Sequence, residues 1–140
     1  MSEPRKPLSA ELDVREWVKY AQSDLRAAEF LFGINDPPCT IVAYHAQQAA
    51  EKMLKAFVVS KGAAPPYVHN IRALLEHCAP YAIWTESLRD AEGLTRFATT
   101  SRYPGIGLTV TAAEAEDAMR LARLVCDRVR QALVDDGIEV

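Results

Sequence analysis

The chain has 140 residues, of which 49% are hydrophobic and 25% are charged, and its formal net charge is −3. This length supports one domain with one core. The slightly acidic net charge argues against indiscriminate binding to nucleic acid or anionic membranes. A local basic face is still compatible with this net charge. No stretch approaches the roughly 18 consecutive apolar residues of a membrane-spanning helix, so none is expected.

The N-terminal stretch "MSEPRKPLSAEL" lacks a hydrophobic signal core. We predict that residues 1–8 form a short flexible tail and that a single domain spans residues 9–136. Ser9 is the predicted N-cap of the first helix, and Gly33 is its predicted end. Apolar residues recur at steps of three and four along this segment, which predicts one buried helix face: Val14, Trp17, Val18, Ala21, Leu25, Ala28 and Phe32.

A second helix is predicted from about Cys39 to Lys61, with Asp36 and two prolines at its entrance. Its apolar stripe consists of Val42, Ala43, Ala46, Ala50, Met53, Leu54 and Phe57. The stretch "HNIRALLEHC" predicts a third, shorter helix that Pro80 ends. His69 and Asn70 are both candidates for its N-cap.

A fourth helix is predicted from Thr85 to about Arg102, although Gly93 weakens it by about 1 kcal/mol relative to alanine. Its predicted buried face consists of Leu88, Ala91, Thr95 and Ala98. The last helix begins at Thr111, which forms a predicted capping box with Glu114. Its stripe consists of Ala115, Ala118, Met119, Ala122, Val125, Cys126, Val129 and Leu133. No segment alternates long enough to be a strand, so the prediction is an all-α bundle of about five helices.

Cys39, Cys78 and Cys126 are odd in number and form no C-x-x-C pair. Together with the missing signal core, this is typical of free thiols in a reducing cytoplasm, where we expect the protein. His77 adjoins Cys78, but structural zinc needs four ligands in paired spacings, so no metal site is expected. The glycine motifs of phosphate-binding loops, dinucleotide-binding folds and α/β-hydrolases do not occur.

The stretch "TTSRYPG", residues 99–105, follows the fourth helix. Extending the buried face of that helix by one step of four places Arg102 toward the core, where its permanent charge needs an acceptor. Asp24, at the edge of the first helix, is the candidate acceptor. Tyr103 precedes a proline, so the helix is expected to end there. Alternatively, Arg102 binds the last carbonyls of its own helix.

His45 and Lys52 lie seven residues apart on the second helix, about 10 Å along its axis. They are therefore predicted to share a face without direct contact. A histidine with a lysine nearby can bind the phosphate of a nucleotide or act as a general acid. The alternative is a histidine that is only packed and hydrogen-bonded at the edge of the core.

Five stretches in this order carry a family resemblance: "WVKYAQSDLRAAEFLF", "YHAQQAAEKMLKAFVVSKG", "HNIRALLEHC", "TTSRYP" and "EAEDAMRLARLVCDRV". They resemble the HEPN family, the higher eukaryotes and prokaryotes nucleotide-binding domain, from about Val14 to Val129. The resemblance implies an up-and-down helical bundle that commonly forms a homodimer. It also implies nucleotide or RNA binding, often beside a minimal nucleotidyltransferase in a toxin–antitoxin-like pair. The implied binding residues are Asp24, His45, Lys52, His69, Arg102 and Tyr103.

In ribonucleases of the broader group, four to six residues separate the arginine from a histidine that follows it. In this chain the matching positions are Gly107, Leu108 and Thr109, so the histidine is missing. We therefore expect a binding module without a cofactor. Two alternatives are a metal-independent ribonuclease with an altered site, for which Arg102 and His45 are the candidate catalytic residues, and a purely structural interaction module.

Overall fold

The computed structural model describes the backbone of residues 6–98 and 109–140 and the side chains of residues 14–98 and 109–140. Within these ranges the chain forms four α-helices and two 3₁₀ helices and no strand, which confirms the predicted all-α fold. In chain order they are α1 (Lys6–Phe32), α2 (Cys39–Ser60), α3 (Ile71–Cys78), η1 (Ala79–Tyr81), η2 (Ile83–Phe97) and α4 (Ala112–Asp135).

Helices α1 and α2 run antiparallel. Asp24, late in α1, contacts His45 near the start of α2, whereas Trp17, earlier in α1, lies against Lys55 near the end of α2. Helices η2 and α4 are also antiparallel, because Arg96 pairs with Glu114 and Arg128 lies against Trp84.

Helix α2 lies at the centre of the bundle and packs against α1, α3, η2 and α4. Phe57, Met53 and Leu54 on α2 are at most 2% exposed. Burying each such side chain stabilises the fold by about 1.5–3 kcal/mol. Because α2 is surrounded, it also buries polar side chains: Gln47, Glu51 and Lys55.

One prediction about a helix entrance was wrong. Helix α1 begins at Lys6, so Ser9 lies inside the helix and is not its N-cap. Pro7 is tolerated there because amides in the first turn have no acceptor within the helix. At α2 the N-cap position is occupied by Pro38, which has no capping side chain, while Asp36 adopts a left-handed backbone with φ of 53°. The predicted boundaries at Cys39, Gly33 and Asn70 are confirmed.

The fourth predicted helix is a 3₁₀ helix, and its predicted face was partly wrong. A 3₁₀ helix has about three residues per turn, so every third residue faces the same way. The buried residues follow this spacing: Thr85, Leu88, Ala91, Leu94 and Phe97. Thr95 is only half-buried, and its hydroxyl oxygen accepts a hydrogen bond from the Ile71 backbone amide at 3.0 Å.

The prediction that Arg102 faces the core assumed a step of four, which η2 does not follow. From Leu88 the step of three continues to Phe97, where η2 ends, five residues before the predicted end. Arg102 and Tyr103 lie outside the described residues.

The predicted capping box of α4 is confirmed. The Thr111 hydroxyl accepts from the Glu114 amide at 3.1 Å, and the Glu114 carboxylate accepts from the Thr111 amide at 2.9 Å. The backbone hydrogen bond from Thr111 and the hydrogen bond from Arg96 together lower the pKa of Glu114 to about 2. Every residue of the predicted α4 stripe is buried, as its spacing requires.

Across the residues that the structure describes, no helix combines the length and the apolar composition that crossing a membrane would need.

Candidate functional site

The carboxylate of Asp24 joins a histidine and a lysine side chain of α2 across the contact between α1 and α2. Its Oδ1 atom lies 2.8 Å from Nδ1 of His45, and its Oδ2 atom lies 2.6 Å from Nζ of Lys52. The side chain of Asp24 is 13% exposed, against 28% for His45 and 26% for Lys52. The carboxylate is therefore covered while both of its partners reach solvent. We call these three residues the Asp24 triad.

The triad fixes the orientation of the histidine ring. An ionised carboxylate only accepts hydrogen bonds, so Nδ1 of His45 carries the proton that it donates to Asp24. In the neutral ring, Nε2 is then the acceptor nitrogen. An imidazole held in one tautomer by a carboxylate is the arrangement that a general base or a phosphate-binding histidine uses.

Aromatic rings lie beside Lys52 and His45 of the triad. Nζ of Lys52 lies 6.0 Å from the ring centre of Tyr20, whose side chain is exposed. The ring of Tyr44 meets His45 edge to face with 5.4 Å between centroids. Cations beside aromatic faces are typical of surfaces that bind single-stranded nucleic acid.

A second polar cluster lies further along α2 and was not predicted from the sequence. Glu51, 4% exposed, accepts from Nε2 of Gln47 at 3.0 Å, from Nζ of Lys55 at 3.0 Å and from Nδ1 of His69 at 2.9 Å. Gln47 also donates to the backbone carbonyl of His69 at 3.3 Å, and Gln48 donates to Gln47 at 2.7 Å. We call this set the Glu51 cluster.

The Glu51 cluster holds a buried carboxylate in its charged form. Burial alone raises the pKa of Glu51, but hydrogen bonds from Gln47, His69 and Lys55 and the charge of Lys55 outweigh burial and bring the pKa below its usual value. Among the described residues, no buried side-chain polar atom lacks a hydrogen-bond partner. The cluster therefore ties the segment before α3 to the centre of the bundle through paired polar groups.

A cavity of about 300 Å³ opens beside this cluster. Nζ of Lys55 forms part of its wall and lies 5.8 Å from the ring centre of Trp17. The cavity is lined by Trp17, Lys55, Pro65, Pro66, Tyr67 and His69. We call it the Trp17 pocket.

The structure brings together three of the six predicted binding residues, because Asp24, His45 and Lys52 form the triad. His45 and Lys52 do not contact each other, as predicted, and Asp24 bridges them. His69 belongs to the Glu51 cluster, and Asn70 caps α3 by accepting from the Ala73 amide. The predicted pairing of Asp24 with Arg102, like the role of Tyr103, falls outside the described residues.

No metal-binding group stands out where the structure describes side chains: histidine, cysteine, aspartate and glutamate do not gather in sets of three or more that could hold an ion.

Comparisons with known proteins agree with the all-α fold. A family model described as the HEPN domain matches residues 14–132. The chain is also similar to TT1696 from Thermus thermophilus, known from a crystal structure, with 28% identity and a TM-score of 0.70. That similarity covers 84% of this chain and 96% of TT1696. No curated protein matches the chain.

Proposed function

Because the chain belongs to the HEPN domain family, we propose that it is a nucleotide- or RNA-binding module whose Asp24 triad contacts phosphate. The observation that carries this proposal is the bridging position of Asp24, which orients His45 and Lys52 while leaving both partly exposed. A phosphate that approaches from solvent meets the ammonium group of Lys52 and the imidazole of His45. The imidazole is a second hydrogen-bond donor when its ring is protonated.

The aromatic rings beside the triad favour a ligand longer than one phosphate. His45 and Lys52 are two helical turns apart, about 10 Å along α2. Their side chains nevertheless converge on one carboxylate, and a nucleotide chain can follow the edge of the helix from that point. Tyr20 and Tyr44 beside the cations offer ring surfaces to bases, which supports a single strand over a duplex. Arg102 and Tyr103 are proposed as further contacts on the strength of the family resemblance.

We further propose that the protein acts as a homodimer, with a minimal nucleotidyltransferase partner in a toxin–antitoxin-like system, and that it works in the cytoplasm. Phe30, 74% exposed, and Leu124, 41% exposed, support an association surface. They adjoin Glu29 and Arg123, which pair at 2.8 Å and so place both apolar side chains on neighbouring parts of α1 and α4. The nucleotidyltransferase partner rests on the family alone.

Thermal shift tests the binding function. A ligand that binds only the folded state raises the melting temperature by mass action. We expect nucleotides or short RNAs to stabilise the wild type but not Lys52→Gln or Arg102→Ala. Lys19→Gln is the matched control, since Lys19 is an exposed lysine of α1 outside the triad. No stabilisation of the wild type by any nucleotide or RNA would reject the proposal.

The second candidate function is metal-independent RNA cleavage, which the Asp24–His45 hydrogen bond favours because it prepares His45 as a general base. Structured RNA incubated with excess protein in EDTA tests it. Fragments that disappear with His45→Ala would establish the activity. Intact RNA with the wild type would exclude it.

A further inference from the structure

The Trp17 pocket is separate from the triad and has no role in the phosphate contacts proposed above. It lies on the same α1–α2 edge, because Trp17 is two helical turns before Asp24 and Lys55 is one turn after Lys52. At about 10 Å from the triad along α1, it is within reach of a neighbouring nucleotide of one bound strand.

The lining of the pocket combines ring surface with a covered cation. Trp17 is half-buried and forms one wall, while Lys55 is 6% exposed. Tyr67 stands at the mouth with its side chain fully exposed, at 101%. A fully solvated tyrosine contributes no packing to the free protein, so its ring surface is open to a ligand.

The size and charge of the pocket select the kind of ligand. About 300 Å³ is at the lower end of the range for small-molecule sites, about 300–1,000 Å³, and suits one planar ring system. Both lysines are paired with a carboxylate, but the side chain of Lys55 is 8% exposed against 26% for Lys52, so Lys55 is less accessible to a phosphate than Lys52 is. Its ring faces and prolines instead favour a flat, mostly uncharged group.

We propose that the Trp17 pocket holds one nucleobase of the bound nucleotide or RNA strand, stacked between the rings of Trp17 and Tyr67, with Lys55 and His69 beside its polar edge. This inference rests on the proposed binding function. It adds to it the division of the α1–α2 edge into a phosphate-contacting part at the triad and a base-binding part at this pocket.

The fluorescence of Trp17 reports occupation of the pocket directly. The chain has two tryptophans, and the other, Trp84, packs edge to face on Phe57 with 4.9 Å between ring centroids, away from the pocket. Trp84→Phe keeps a ring at that contact and leaves Trp17 as the sole emitter. This variant is titrated with adenosine monophosphate, with ribose 5-phosphate and with an oligoadenylate of about six nucleotides.

We expect saturable quenching by adenosine monophosphate and by the oligoadenylate, and none by ribose 5-phosphate, which lacks the base. Adding Tyr67→Ala should weaken the quenching titration about five- to hundredfold, the effect of losing one stacked base. Tyr81→Ala is the matched control, because Tyr81 is also an exposed tyrosine but does not line the pocket. It should bind like the parent.

Other results would overturn the inference. Anisotropy showing that the oligoadenylate binds in a Lys52-dependent way without quenching of Trp17 would reject the base pocket and leave the proposed function standing. Quenching by ribose 5-phosphate as strong as by adenosine monophosphate would assign the pocket to the sugar phosphate. Stronger quenching by N-acetyltyrosinamide would assign it to a partner protein's side chain. No binding of any nucleotide would reject both proposals.

Discussion

Asp24 and Lys52 face each other across the contact between α1 and α2, with 2.6 Å between Oδ2 and Nζ. Because Oδ1 of the same carboxylate holds His45, one partly buried acidic group sets the position of both side chains. The polar edge of these two helices is thus fixed before any ligand arrives, which reduces the conformational entropy that binding costs.

The first prediction concerns the carboxylate itself. Asp24→Asn keeps the shape of the side chain but removes the negative charge that pairs with Lys52 and accepts the hydrogen bond from His45. We expect the free energy of unfolding to fall by about 1–3 kcal/mol, the usual contribution of hydrogen bonds to charged groups. Urea denaturation measures it. Asp127→Asn, at an exposed position of α4, is the control and should be nearly neutral. Equal losses in both variants would show that Asp24 has no special structural role.

The second prediction concerns acid stability. The pKa of Glu51 is lower in the folded protein than its ordinary value of 4.5. Its stabilising contribution is therefore present above 4.5 and lost as the pH falls through the folded-state pKa. Glu51→Gln should cost about 3 kcal/mol at neutral pH, because Lys55 loses its buried partner.

The pH dependence distinguishes this role from a simple packing defect. The variant should lose less stability than the wild type between neutral pH and about pH 3.5, because one acid-sensitive carboxylate is gone. Urea midpoints at both pH values test this, with the exposed Glu16→Gln as the control that follows the wild type. Parallel pH profiles for Glu51→Gln and the wild type would contradict the ionised state of Glu51.

The third prediction uses two glycines with opposite backbone requirements. A Cβ atom at Gly93 would meet nothing within 4 Å, and its φ is not positive. Gly93→Ala should therefore stabilise the protein by about 0.4–1 kcal/mol by restricting the unfolded chain. Gly62 has φ of +84°, so Gly62→Ala should destabilise it instead. Thermal melts that rank the two variants in the reverse order would contradict the backbone geometry at both sites.

The fourth prediction concerns thiol reactivity. Burial raises the pKa of both Cys78 and Cys126 to about 12, and both side chains are buried. Cys39 is half-buried. At about pH 8 a thiol reagent should label Cys39 in the native protein and all three cysteines after unfolding. Cys39→Ser should abolish the native reaction. Rapid labelling of Cys78 or Cys126 in the folded protein would show that the bundle opens readily.

The sequence predicted those elements whose signals are local. The α4 stripe and its Thr111 cap were correct because 3.6-residue spacing and capping chemistry are visible in neighbouring residues. The face of η2 was partly wrong because Leu88 and Ala91 fit both a 3.6-residue and a three-residue period. Only the burial of Leu94 and Phe97 distinguishes the three-residue period from the 3.6-residue period.

The tertiary contacts of the site were harder to predict from the sequence. Asp24, His45 and Lys52 were each identified, but their shared geometry depends on the antiparallel pairing of α1 and α2. Glu51 was missed because glutamate is rarely buried unless it is paired. Its signal was the i, i+4 ladder of Gln47, Glu51 and Lys55 on a helix rich in alanine, which is typical of a central helix that buries several faces.

If Lys52 contacts ligand phosphate as proposed, the salt dependence of binding reports that contact. Anisotropy of a labelled oligoadenylate gives the binding constant as a function of salt concentration. For single strands the logarithmic slope changes by about 0.7 for each phosphate contact removed. We predict that Lys52→Gln binds more weakly with a slope shallower by about 0.7, while Lys19→Gln matches the wild type. The same affinity and slope for Lys52→Gln and the wild type would show that Lys52 does not contact the phosphate of the ligand.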